Sequence, residues 1–212
     1  MSWKTVDACV WATNCFTNSE LMYAISSDKT LEDGRSAADT MERSEKGEPM
    51  PKERFPKEMY IDSESDEITS VPDIFTSGFW VVSARFAAVL RRFDLGKTAL
   101  YPVKLFQHDR KTPFEGEYFT LAFGEKKDTF VPGESPEAMK FPFTKKNLWV
   151  ASLGREDNGL ALSDDALQGV DLWMEKKIRH CFFISDRLVQ ALKTENLSQG
   201  LKPYRCRVIE QE

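Results

Sequence analysis

Asp62-Ser63-Glu64-Ser65-Asp66 sets three carboxylates at alternating positions, the way the opening of a calcium-binding loop presents oxygens to a hard cation. The rest of such a loop is missing: Glu67 stands where the sharp turn needs glycine, and Pro72 falls near the loop's end. The run therefore reads as a solvated acidic surface rather than a metal site. Leu95-Gly96-Lys97-Thr98 resembles the end of a phosphate-binding loop, but the earlier glycine whose amide would wrap a phosphate is replaced by Arg91. The two histidines, His108 and His180, lie far apart in polar or boundary settings, and neither has companions at the spacing of a zinc site. Cys9, Cys15, Cys181 and Cys206 form no CxxC pair and read as free thiols of a reducing compartment. There is no Gly-x-Ser-x-Gly elbow. The five tryptophans lack interleaved basic residues, so they read as core anchors rather than base-stacking platforms. No catalytic residue, metal or cofactor is expected. If an enzyme site is assembled from distant residues, His108, Asp109 and Asp128 are its candidates.

The elements that must position any such groups start from the composition. Apolar residues at 41% and aromatics at 12% suffice for a packed core, so the 30% of charged residues is expected on the surface. A net charge of −5 argues against nucleic acid as a partner and favours a basic protein surface. Residues 1–20 lack a basic segment followed by a sustained apolar run, and no stretch is apolar enough to span a bilayer. A cytoplasmic protein without a membrane partner is expected.

Residues 28–67 are acidic and aperiodic, with Arg43–Phe55 reading as a surface loop around Pro49 and Pro51. Ser19–Ile25 fits a short helix or a strand. The first 70 residues are expected to form an N-terminal extension with an acidic loop, and residues 71–212 the main domain. In that domain Phe79-Trp80-Val81-Val82 reads as a buried strand. Ser83 follows as a helix N-cap, Phe86, Val89, Leu90 and Phe93 recur at helical spacing, and Gly96 is placed to stop the helix. Tyr101–Gln107 and Tyr118–Phe123 read as paired strands joined by an exposed polar connection.

The most informative feature is a self-similarity. Residues 79–91 align with residues 181–193, each an apolar strand, a serine cap (Ser83, Ser185), then Ser-x-Arg and a leucine-bearing helix. Upstream, Asp73-Ile74-Phe75 resembles Asp171-Leu172-Trp173. Downstream, Gly96 and Tyr101–Lys104 resemble Gly200 and Tyr204–Arg207. The expected fold is α+β, a mixed sheet with packed helices, built around two similar strand-Ser-helix-strand units at 79–106 and 181–209. If the two strands of a unit lie parallel in one sheet, the crossover between them should be right-handed.

Pro72-Asp73-Ile74-Phe75, the Val-Ser-x-Arg-Phe core of residues 79–90, Tyr101-Pro102-Val103, Glu117-Tyr118-Phe119, Asp171-Leu172-Trp173, residues 183–188 and Gly200-Leu201 together resemble immunity protein family eleven, a bacterial family once listed as a domain of unknown function. The resemblance runs from about Val71 to the C-terminus. It implies a non-catalytic protein encoded beside a secreted polymorphic toxin, which it binds and neutralises. It carries over no catalytic residue. On that reading Asp62, Glu64, Asp66 and Glu67 are the candidate toxin-binding residues, since their charge would steer a cationic toxin. An enzyme of distant residues and a general interaction module are the alternatives.

Overall fold

The computed structural model describes residues 3–13, 15–62, 68, 70–141, 147–152 and 156–211. Among these, the strands form two six-stranded sheets and one three-stranded sheet. The first sheet contains β2 (Ile25–Ser27), β3 (Glu58–Ile61), β4 (Ile74–Thr76), β5 (Trp80–Ser83), β6 (Ala99–Phe106) and β7 (Tyr118–Ala122), in the order β2-β3-β6-β7-β5-β4. The second contains β1 (Trp3–Ala12), β8 (Lys126–Lys127), β11 (Ala161–Ser163), β12 (Leu172–Glu175), β14 (Phe183–Ser185) and β15 (Tyr204–Gln211), in the order β11-β15-β1-β14-β12-β8. The small sheet joins β9 (Ala138–Lys140), β10 (Trp149–Ala151) and β13 (Ile178–Arg179). The helices are α1 (Asp28–Glu32), α2 (Gly34–Ser44), α3 (Ala84–Leu90) and α4 (Asp186–Thr194). The fold is α+β with mixed sheets: β3 runs parallel to β6 and β11 parallel to β15, while the pairs between β5, β7 and β6 are antiparallel.

Strand alternation and helical spacing explain how the layers close. Trp80 and Val82 face one way from β5 and Val81 the other, as a period of two requires. Trp80 and Val82 meet Phe86, Val89 and Leu90 of α3, Leu188, Val189 and Leu192 of α4, and Leu172 and Ile184 of the second sheet in one central core. Each such side chain fully buried contributes about 1.5–3 kcal/mol. The outer faces of the two sheets carry separate clusters, Met59, Phe75 and Val103 on one and Trp173, Phe183 and Val208 on the other.

The two strand-to-helix junctions share one set of bonds. Ser83 Oγ accepts from the Phe86 amide at 3.2 Å and donates to Asp73 Oδ1 at 2.5 Å, and the Ser83 amide donates to the Asp73 carbonyl at 2.9 Å. Ser185 Oγ accepts from the Leu188 amide at 3.3 Å and donates to Asp171 Oδ1 at 2.5 Å, and the Ser185 amide donates to the Asp171 carbonyl at 2.9 Å. Arg85 and Arg187, two residues past each serine, pair with the same aspartates. The register agrees as well, Ile74 opposite Val82 and Leu172 opposite Ile184. Each helix leads to a strand, β6 or β15, that runs parallel to the one before it with a single antiparallel strand between, β7 in one sheet and β1 in the other.

Several expectations are corrected. Residues 1–70 are not an extension, because β1 lies between β14 and β15 in the second sheet and β3 pairs with β6 in the first. Arg43–Phe55 is only in part a surface loop: α2 runs through Ser44, Lys52–Arg54 form a 3₁₀ turn, and Met50 and Phe55 are buried against Phe79. Residues 28–32 and 34–44 are helical, with Ser27 and Thr30 forming a capping box for α1 and the extended Asp33 capping α2. Ser19–Leu21 is a single 3₁₀ turn, and a strand begins only at Ile25. Gly96 does not end α3, which closes at Leu90. The glycine, at φ +55°, sits in the following turn, where a Cβ would meet the Glu125 carboxylate and Val170. The strands β6 and β7 pair as expected, Ala99 opposite Ala122 and Val103 opposite Tyr118.

Candidate functional site

Two concavities of opposite charge stand out. The larger, about 840 Å³, lies along β6 and the connection to β7. Lys57, Lys104 and Lys111 surround apolar walls that include Phe106, Phe114 and Phe119, with Glu117 as the acid of its lining. The other, about 550 Å³, is a cleft to which both halves of the molecule contribute. Phe16 comes from the 3₁₀ turn after β1, Met22 and Tyr23 from the approach to β2, and Glu45 from the end of α2. Asp62 follows β3, Ser77 and Gly78 follow β4, Trp80 opens β5, and His180 follows β13.

The cleft is aromatic and acidic. The Phe16 ring meets the edge of Trp80 at 5.0 Å between centroids and lies 6.2 Å from His180, while Tyr23 meets Phe75 at 5.7 Å. Such edge contacts hold the rings in fixed orientations. Met22 is 54% exposed, an unusual position for a large apolar side chain. Gly78 has φ +101°, a backbone conformation that residues with a side chain rarely adopt, and a Cβ there would sit 2.6 Å from the Met41 sulfur. The lining holds two carboxylates, Glu45 and Asp62, and neither lysine nor arginine.

The two acids differ in setting. Asp62 is exposed, and its carboxylate accepts from the Ser26 hydroxyl at 2.6 Å. Glu45 is partly buried at the negative end of α2. Burial pushes its carboxyl up to about 7, Glu42 adds repulsion, and Arg179 offsets part of the effect. Arg179 is itself half-buried and spreads its attraction over Glu42, Glu45 and Glu48. Among the described residues no lysine, arginine or histidine forms an ion pair with Glu45.

Of the acidic residues singled out from sequence, Asp62 lies on the rim of this cleft, and Glu64, Asp66 and Glu67 lie outside the described residues. Ser83 and Ser185 cap their helices with both lone-pair and proton committed, which leaves neither hydroxyl poised as a nucleophile. His108, Asp109 and Asp128 are not gathered. His108 and Asp109 sit in the connection after β6, where bonds from the Thr112 hydroxyl and the Thr112 and Lys111 amides bring the Asp109 carboxyl down to about 2. Asp128 follows β8 in the other sheet and is held by Lys177 at 2.8 Å and Lys176 at 3.6 Å. Among the described residues no group of three His, Cys, Asp or Glu side chains is arranged to hold a metal ion, and no helix is long and apolar enough to cross a membrane. Sequence reasoning missed Glu45, because it fell in a stretch read as loop, and the wall residues Phe16 and His180, which only the pairing of the two halves brings together.

The comparisons with known proteins complete this picture. No curated protein matches the chain. A family model described as immunity protein family Imm11 matches residues 22–208. The match begins well before Val71, so β2, α2 and β3 belong to the shared pattern along with both strand-Ser-helix junctions. With that span matched, the chain belongs to the immunity protein family Imm11.

Proposed function

We propose that this protein protects the cell that makes it by docking on a cognate polymorphic toxin in the cytoplasm and blocking it without catalysing a reaction. Family membership supports the immunity role. The observation that carries the docking mode is the acidic, aromatic cleft, a concave surface with an exposed methionine, aromatic walls and two carboxylates with no lysine or arginine in the lining. Those are the features of a protein-binding hot spot aimed at a basic surface. Asp62 lines that cleft, and in this reading it and the candidate acids Glu64, Asp66 and Glu67 raise the rate of encounter with a cationic toxin. The dispersed positions of His108, Asp109 and Asp128 fit a protein that binds rather than turns over. Nucleic acid and membrane have no part in the proposal, in keeping with the net charge of −5.

The test is co-expression with the toxin encoded beside this protein. Survival of cells carrying both is expected, together with a complex that co-purifies. Continued lethality with every neighbouring toxin would overturn the reading.

A further inference from the structure

Glu45 occupies a position that folding alone does not explain. Glu45 lines an open cleft and is partly buried, yet among the described residues no donor hydrogen-bonds to its carboxylate and no cation pairs with it within 4 Å. The charged and titratable groups around it are Glu42 on the same helix, Arg179 on β13, and Asp62 and His180 on the opposite cleft walls. A partly desolvated carboxylate with no directly paired cation, and only a share of the more distant Arg179 charge, costs free energy that an incoming cation would recover. Rings flanking the space suit a basic head, because aromatic faces attract cations. Phe16 and Tyr23 are partly exposed there, and Trp80 lies beneath. The other concavity, ringed with lysines, has the wrong charge for this occupant.

We infer that the cleft receives one basic side chain of the partner protein, with Glu45 as its counter-ion, Asp62 as a second acid at the mouth, and Phe16 and Tyr23 as flanking rings. This rests on the toxin-binding reading and gives it a specificity residue. Only the ionised cleft holds the cation well, so apparent affinity should follow the ionised fraction of Glu45 and be about tenfold tighter at pH 8 than at pH 6.

The probe is a short amidated arginine peptide, with the matching glutamine peptide as control, titrated into the full chain and followed by backbone amide and glutamate carboxyl NMR. The expected result is movement of the Ser77, Gly78 and Trp80 signals, a fall in the Glu45 carboxyl midpoint on saturation, and the tenfold pH dependence. Glu45→Gln should weaken binding about tenfold at pH 8 and abolish the pH dependence, its fold checked by the same amide spectra. His180→Asn, suited to the positive φ of 61° at that position, should leave the pH dependence in place. Rescue from the neighbouring toxin is measured in parallel. Rescue by the wild type with peptide binding indifferent to pH and to Glu45→Gln overturns the cation assignment and leaves the immunity reading standing. Peptide binding through Glu45 with no rescue by the wild type supports the cation site and overturns the immunity reading.

Discussion

Asp171 shows how much one residue can join. Its carboxylate, 1% exposed, takes the Ser185 hydroxyl, both nitrogens of the Arg187 fork at 2.6 and 2.7 Å, and the amide of Asp94 at 2.9 Å. Burial alone would raise its pKa, but Arg187, Ser185 and Asp94 outweigh burial and hold it below the ordinary carboxylate range. Asp94 lies beyond α3, so this one side chain pins the first half of the chain to the second. Asp171→Ala should cost about 2 kcal/mol in denaturant unfolding, because it removes the buried charged acceptor that ties Ser185, Arg187 and Asp94 together. Asp73→Ala, at the more exposed counterpart, should cost about 1 kcal/mol. A depressed carboxyl stabilises the fold above its unfolded-state pKa and loses that contribution as pH falls. The stability gap between wild type and Asp171→Asn should therefore narrow below about pH 4. Glu45 has the opposite sign. With its folded-state pKa raised to about 7, it favours the fold at low pH and loses that contribution as pH rises through the range between the ordinary glutamate value and 7. Glu45→Gln should be the more stable protein at pH 8, by about 2 kcal/mol, a stability cost of the kind binding residues carry.

Among the elements, legibility followed the chemistry of the buried face. The segments β5–α3 and β14–α4 were readable because large apolar residues and a capping serine mark them, and Ser83→Ala or Ser185→Ala should each cost about 1 kcal/mol by thermal or denaturant melting. Helix α2 was not readable. Its buried positions are Ala37, Thr40 and Ser44, small or polar residues at helical spacing that give the buried face no run of large apolar side chains. Beside Ala37 and Met41, which join an apolar cluster, its packing is polar: the Ser44 hydroxyl accepts from the Phe123 amide, and Arg54 bonds Thr40 and Asp39. The cleft was legible only at Asp62. Glu45 sits at the end of this hidden helix, and its counterparts Phe16 and His180 are brought near by pairing between strands more than 160 residues apart in sequence.

At the scale of the whole molecule, the chain closes on itself. Strand β1 is clasped between β14 and β15, so the middle of the second sheet joins segments far apart in sequence. Removing residues 1–13 should abolish cooperative unfolding of the second sheet and lose amide protection in β14 and β15 by hydrogen exchange. Retained protection there would show that β1 is dispensable. The same closure brings Phe16 and His180 beside the α2 terminus, so the acidic cleft exists only in the complete fold.

The most direct test of the central claim is a titration of the neighbouring toxin's activity with this protein at toxin concentrations far above the dissociation constant. Docking without turnover predicts a linear loss of toxin activity that ends at one equivalent. Full protection at a small fraction of an equivalent would mean that the protein modifies or destroys the toxin, and no protection at several equivalents would mean that it does not neutralise it at all.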